Sequence, residues 1–339
     1  MFLIITHFSL LVTHQASAQS LTLVELNCEN LFDARHDEGK DDSEWLPDAL
    51  RHWTRTRYWR KVNNIGQELL SCTDGSVPDL IALVEVENDS ALIALTRRSL
   101  FRRAGYQYLM TQSSDLRGID VALLYQPLLF RPLCYETLHV QPLKGMRPTR
   151  DILYVQGETL HRRPDDGAAP PAVPDSTATT VVCHDTLHVF VVHAPSRFGG
   201  ERATRPFRQQ VMERLMAHIS TLPADAKIIV AGDFNDYHDS PSLKFLASQG
   251  LHNVTAEATG RYGIAPATYR YQGEWRSIDH ILLSPTLLPF VDHAYINDAP
   301  FLLEEDSQYG GHRPLRTFNG MRYQRGFSDH LPLVVRLRW

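Results

Sequence analysis

Six short polar clusters, each set beside an apolar run, are strung from one end of this 339-residue chain to the other. In order they are Asn27-Cys28-Glu29-Asn30, Glu85-Val86-Glu87-Asn88, His193-Ala194-Pro195-Ser196, Gly232-Asp233-Phe234-Asn235, Ser277-Ile278-Asp279-His280 and Ser328-Asp329-His330. Apolar runs such as Leu80 to Val84 and Lys227 to Ala231 read as buried strands. Acids, amides and histidines at the ends of such strands converge at one rim of a sheet. A fold that satisfies all six clusters therefore has to gather strand ends from the whole chain.

The remaining punctuation predicts the other elements. A strand over 21–27 leads to a polar loop at 33–48, a helix at about 53–71 and, after Pro78, a strand ending at Glu85. A helix near 89–103 and strands around 106–111, 119–125 and 150–156 follow. The segment 157–179, rich in Pro, Asp, Gly, Ala and Thr, reads as a loop or hairpin excursion. Then come a strand at 187–193, a helix at about 201–221, a strand at 227–232, a short helix near 240–249 and strands at 279–283 and 332–337. The dense basic run from Arg51 to Lys61 overlaps the first helix, where Trp59, Val62, Ile65 and Leu69 recur at helical spacing, so it reads as the helix's solvated face. The net charge of −5 agrees, because a protein that grips long duplex nucleic acid by its phosphates carries a basic excess.

The first residues form an apolar stretch ending in Ala16-Ser17-Ala18-Gln19, a small-x-small pattern that predicts a signal peptide over 1–18 and export to the periplasm or the extracellular space. No Lys or Arg precedes that stretch. No later run approaches the roughly 18 apolar residues of a membrane helix, so no stable membrane insertion is expected, and the expected assembly is a monomer. Cys28, Cys72, Cys134 and Cys183 show neither CxxC nor zinc-finger spacing and read as packing residues, with no disulfide pair selected.

Oxygen-rich clusters of this kind suit a hard cation such as Mg²⁺, which is held by one or two carboxylates together with water and substrate. Glu85 closes a buried strand, where an unpaired carboxylate is costly, and is the first candidate ligand; Glu87 is its local rival. Asn27 and Glu29 fall on alternate strand positions and are expected to share a face, as are Asp233 and Asn235, with Phe234 turned into the core. The bland alternatives are a helix-capping Asn30 beside a solvated Glu29, and a turn-forming Asp/Asn pair at 233 and 235.

The order and wording of the six clusters resemble the endonuclease/exonuclease/phosphatase superfamily, the fold of deoxyribonuclease I, abasic endonucleases and neutral sphingomyelinases. The resemblance covers nearly the whole chain and implies a four-layer α/β sandwich, two mixed β-sheets packed face to face with helices outside, as one domain over 19–339. It implies a secreted bacterial phosphoesterase dependent on Mg²⁺, with Mn²⁺ or Ca²⁺ as substitutes, acting on a phosphate ester, DNA and RNA among the candidates. By the same resemblance Asp233 orients and deprotonates the attacking water, and Asn235 holds the phosphate or the water. His193 and His330 are the acid/base pair and Asp279 orients His330. Glu85, Asn27, Glu29 and Asp329 hold the metal, Glu29 standing where abasic endonucleases carry Asp. Arg150 contacts a phosphate, ahead of Arg117 and Arg197. The rivals are a calcineurin-like metallophosphatase, whose upstream Asp-x-His and downstream Gly-Asn-His words are absent, a phosphatase or sphingomyelinase-like hydrolase, and an inactive ligand-binding homologue.

Overall fold

The computed structural model describes residues 20–163 and 181–339; the signal peptide expected at 1–18 and residues 164–179 of the expected excursion lie outside the described residues. In chain order the elements are β1 (Ser20–Leu31), α1 (Arg55–Leu70), β2 (Leu80–Val86), α2 (Asp89–Ile93), β3 (Gln107–Met110), β4 (Asp120–Tyr125), β5 (Phe130–Leu138), β6 (Ile152–Arg163) and β7 (Val181–His193). They continue with α3 (Glu201–Ile219), β8 (Lys227–Asp233), α4 (Pro241–Ser248) and β9 (His252–Asn253). After these come the hairpin β10 (Tyr269–Tyr271) and β11 (Glu274–Arg276), then β12 (Asp279–Leu283) and β13 (Val291–Ile296). Two further hairpins, β14 (Leu303–Glu305) with β15 (His312–Pro314) and β16 (Phe318–Asn319) with β17 (Arg322–Tyr323), precede the closing strand β18 (Leu333–Arg338).

Two six-stranded mixed sheets result, ordered β13-β18-β1-β2-β4-β3 and β5-β6-β7-β8-β12-β9. Their centres repeat one pattern. In the first, β1 and β2 run parallel, joined by α1, with antiparallel β18 and β4 on either side. In the second, β7 and β8 run parallel, joined by α3, with antiparallel β6 and β12 on either side. A parallel pair puts both carboxyl ends at one edge, and an antiparallel neighbour begins at that same edge. The ends of β1, β2, β7 and β8 and the starts of β4, β6, β12 and β18 thus form the rims.

The strand period of two decides which side chains meet between the sheets. Leu21 and Leu23 of β1, Val189 and Val191 of β7, Ile229 and Ala231 of β8, and Ile281 and Leu283 of β12 share one buried inter-sheet core. Val24, Leu26 and Cys28 face the other way, onto Val62, Ile65 and Leu69 of α1. Phe190, Val192 and Val230 pack under Phe207, Val211 and Leu215 of α3, and Phe234 joins them as expected. This is the two-sheet, helices-outside architecture read from the sequence, and each βαβ crossover buries one face of its helix.

Several details differ from the sequence reading. The strand expected at 150–156 runs on to Arg163, and the one expected at 187–193 begins at Val181. The helix near 89–103 is only five residues of α2, then a π turn over Ala94–Arg98 and a 3-10 turn over Leu100–Ala104. Its hydroxyls explain the break: Thr96 Oγ1 donates to the Leu92 carbonyl, Ser99 Oγ to the Leu95 carbonyl, and Ser99 Oγ accepts from Phe101 N. Cys28 and Cys72 are buried, but Cys134, on edge strand β5, is exposed rather than packed. Among the described residues, no helix is long and apolar enough to cross a membrane.

Glu68 is a buried acid on α1 whose Oε2 has no partner among the described residues. Burial raises its pKa to about 8, opposed in part by Lys61. A folded-state pKa above the unfolded one means that the stability tied to this proton is fully present below about pH 4.5 and is lost as pH rises towards 8. Replacing Glu68 with Gln should therefore leave stability at pH 5 nearly unchanged and remove a decline on the order of 1 kcal/mol per pH unit between pH 5 and 8. Urea unfolding across that range checks this; parallel curves for the two proteins would contradict it.

Candidate active site

The inter-sheet faces end in polar residues. Continuing the core positions by two along β7 and β8 reaches His193 and Asp233, along β1 the same period passes Glu25 to reach Asn27, and stepping back from Ile281 along β12 reaches Asp279, which pairs with Asp233 across the ladder. Asn27, His193 and Asp233 line a cleft of about 670 Å³ together with Glu29, Glu85, Asn235, Asp329 and His330, and Asp279 lies behind His330. Asn27 Nδ2 donates to Asp233 Oδ2 at 3.1 Å, a bond between residues of different sheets.

Where alternation would fail, the backbone is bent to correct it. In β2 the inter-sheet positions are Leu80, Ala82 and Val84, so Val86 comes next in register; instead Val86 faces α1. Glu85 takes φ +61°, the ladder shifts register there, and its carboxylate turns to the cleft. Asn235 has φ +50°, its N–H bonded to Asp233 Oδ1 at 2.7 Å and its Nδ2 to Asp233 Oδ2 at 3.0 Å. Left-handed backbone in non-glycine residues is costly and gathers at sites that neighbouring bonds over-determine. Gly232 has no alternative, since a Cβ there would lie 1.8 Å from the Val192 carbonyl oxygen on the parallel neighbour.

The same device acts at the end of β1, where Asn27 and Glu29 both line the cleft. Glu29 and Asn30 have φ +47° and +58°. Glu29 is held in a buried corner of the cleft, where Thr317 N donates to Oε2 at 2.6 Å, Lys61 Nζ lies 3.4 Å from Oε2, and Arg316 Nε lies 3.3 Å from Oε1. It is buried rather than solvated. Asn30 caps no helix; its N–H donates to Glu85 Oε2 at 2.9 Å. Lys61, read as part of a solvated basic face, is buried, because α1 turns it inward to Glu29, Thr317 and the Phe327 carbonyl. Glu87 lies outside the cleft lining and accepts from Asp33 N.

The two histidines are held in opposite charge states. His330 Nδ1 sits 2.9 Å from both oxygens of Asp279, which also accepts from Thr268 Oγ1 at 2.5 Å. Burial lowers the His330 pKa, but Asp279, with Asp329 and Asp233 nearby, overrides it and holds the ring as imidazolium. Tyr269 covers the ring, with centroids 4.7 Å apart. His193 has no such grip: its Nε2 lies 3.6 Å from Asp233 Oδ2 and 3.8 Å from Glu85 Oε1, and burial together with Arg150 and Arg117 keeps it neutral. Asp233, buried and next to Asp279, has its pKa raised to about 7. Beneath them Glu25 is fully buried, with neither oxygen partnered among the described residues, and burial reinforced by Asp279 and Asp233 keeps it protonated.

Arg150 is buried behind this wall, its guanidinium bonded to the Ala194 carbonyl at 2.6 Å and 3.4 Å from Asp115 Oδ2. Arg117 and Arg197 line the cleft itself. Sequence reading missed Lys61, Glu25, Thr268, Tyr269 and Arg316; none lies in a polar cluster, and only the fold brings them in.

Two groups of oxygen ligands fit a hard cation. Asp233, Asp279 and His330 offer atoms within 4.8 Å of one another, but the His330 nitrogen facing Asp279 is committed to that carboxylate. Glu85 has one oxygen bonded to Asn30 N, while its other oxygen faces a neutral imidazole. Its surroundings of carboxylates and amides, with no thiolate, suit Mg²⁺.

The charge state of His330 depends on Asp279 and can be read directly. In Asp279→Asn the imidazolium loses its partner while burial remains, so the pKa should fall from well above 6.5 to at or below it. Histidine-ring NMR titration of the two proteins tests this; an unchanged titration would show that Asp279 is not the controlling group.

A family model described as the endonuclease/exonuclease/phosphatase family matches residues 22–163 and 177–339. No curated protein matches the sequence. Among solved structures, an endonuclease/exonuclease/phosphatase family protein from Bacteroides thetaiotaomicron superposes with a TM-score of 0.56 at 17% identity, over 95% of this chain and 98% of that one. A mannosyl-6-phosphatase from the same organism gives 0.57 at 17% identity, over 94% and 100%. A humanized TDP2 from D. rerio gives 0.56 at 15% identity, over 94% and 99%. At such identities the structures establish a common fold, and the family match extends over both sheets and all six polar clusters: the chain belongs to the endonuclease/exonuclease/phosphatase family.

Proposed function

We propose that the protein is a divalent-metal-dependent phosphoesterase that hydrolyses a P–O bond of a phosphodiester, with nucleic acid the first substrate class to test. The observation that carries the reading is the pairing of a carboxylate with a pKa of about 7, Asp233, with an imidazolium held by Asp279 in the same cluster. A base titrating near neutrality and a neighbouring fixed acid are what in-line attack by water on a phosphate ester requires.

Each residue then has a task. Asp233 takes the proton of the attacking water, and Asn235, held against Asp233, keeps that oxygen in line. His330 places a positive ring beside the phosphoryl oxygens as they gain charge and can protonate the leaving alkoxide. His193, neutral and close to both Glu85 and Asp233, offers a donor without adding charge. Arg117 and Arg197 meet the substrate's phosphate at the cleft wall, and Arg150 braces the Ala194 carbonyl to which Asn235 also bonds at 3.2 Å. A divalent ion bound at Glu85 would supply Lewis-acid neutralisation of the phosphoryl group.

A hydrolysis panel of single- and double-stranded DNA, RNA, sphingomyelin, sugar phosphates and bis-p-nitrophenyl phosphate, with Mg²⁺, Mn²⁺ or EDTA, tests this. Activity should vanish in EDTA and return with Mg²⁺ or Mn²⁺. Glu85→Ala and Asp233→Asn should each lower kcat on the order of 10²-fold or more with folding intact. Turnover that persists in chelator, or in Glu85→Ala, would sink the reading; a monoester as the sole substrate would move it to a phosphatase.

A further inference from the structure

Of the four residues expected to hold the ion, two face a cation that the chain supplies itself. The Arg316 guanidinium lies between Glu29 and Asp329, with Nε 3.3 Å from Glu29 Oε1 and a terminal nitrogen 2.6 Å from Asp329 Oδ2. Lys61 approaches Glu29 from the other side at 3.4 Å. Two carboxylates thus meet two side-chain cations, and the quartet is neutral with nothing added.

The other half of the cleft is not balanced in this way. Glu85 and Asp233 face each other across His193, and among the described residues neither carboxylate is bonded to a lysine or arginine side chain. Arg150 is already turned to Asp115 and the Ala194 carbonyl, and Arg117 to Asp115 at 3.7 Å. The deficit of positive charge is therefore on the Glu85 side. The pocket between Glu29 and Asp329 has none.

We propose that Arg316 is a resident cation filling what would otherwise be a second ion position, so that the cleft takes a single divalent ion, on the Glu85 side. This rests on the metal-dependent reading above. An ion entering between Glu29 and Asp329 would have to expel a guanidinium bonded to both carboxylates and leave it unpaired. Arg316 also lines the cleft, and its side chain keeps 36% of its exposure. A planar group with five donors, only part of them committed, can turn its free N–H edge to a phosphoryl oxygen opposite the ion. Arg316 is on this account a substrate-binding residue as well as a plug.

Counting Mn²⁺ ions tests the proposal without measuring activity. Calorimetric titration, with electron paramagnetic resonance to count free ion, should find one Mn²⁺ per wild-type chain. That event should be lost in Glu85→Gln and kept within about threefold in affinity in Glu29→Gln. Arg316→Met should gain a second Mn²⁺ per chain. Circular dichroism shows whether that variant folds; if it does not, Arg316→Lys, which keeps the charge, should still bind one ion, and the wild-type and Glu29→Gln titrations decide. Two ions on the wild type, loss of the ion in Glu29→Gln, or a single ion on a folded Arg316→Met would overturn the proposal and leave the phosphoesterase reading standing. A wild type that binds no Mn²⁺ would overturn both.

Discussion

A helix that joins two parallel strands delivers both of their carboxyl ends to one edge of a sheet, and this chain does so twice. α1 sets the ends of β1 and β2 side by side, and α3 those of β7 and β8. Packing the two sheets on a common apolar face then stacks the two edges. Asn27 and Asp233, 206 residues apart, become hydrogen-bonded neighbours. The cleft is the open end of the inter-sheet core, and its polar side chains occupy the positions that Leu, Val and Ile fill a few residues deeper. That explains how groups as far apart in sequence as Asn27 and His330 are held to fixed geometry: Asn27 stands on a strand buried on both faces, and His330 lies just before the start of β18, bridged to Tyr269.

Regular strands would not suffice. Glu29, Asn30, Glu85 and Asn235 all adopt left-handed backbone, which costs about 1–3 kcal/mol each. The strain re-aims carboxylates that alternation would misdirect, bringing Glu85 into the cleft and setting Glu29 at its wall against Lys61 and Arg316. Bonds such as Asn30 N–H to Glu85 and Asn235 N–H to Asp233 help hold these residues in place. The electrostatics follow from which partner each group acquires. Two buried histidines in one cleft are driven in opposite directions because only His330 has a carboxylate against its ring nitrogen.

Most of this was legible where a polar cluster followed an apolar run. Asp233, Asp279, His193 and His330 could be placed at strand ends from sequence alone, since the strands before or after them are continuous hydrophobic stretches. Two edge strands were not legible: β5 alternates weakly, is mostly exposed and carries Pro132, and β13 is half exposed, whereas β3, also at an edge, was expected at 106–111. Lys61 was misread for a physical reason, because a lysine among arginines at the start of an amphipathic helix normally faces water. Its burial depends on Glu29, 32 residues away and turned inward by a backbone angle that no residue type announces. Arg316 sits in a segment with no pattern at all. Side chains that neutralise a site, rather than perform its chemistry, left no mark in the spacing.

The central claim is that the carboxylate re-aimed by the β2 irregularity is the metal-binding group, and that Asp279 and His330 form a separate proton-carrying pair. Anomalous diffraction from crystals soaked in Mn²⁺ locates the ion directly. The account predicts a peak against Glu85, in the space bounded by Asn27, Asp233 and His193, with the Asp279–His330 bond intact. A peak held by Asp279 and His330, with none at Glu85, would contradict it.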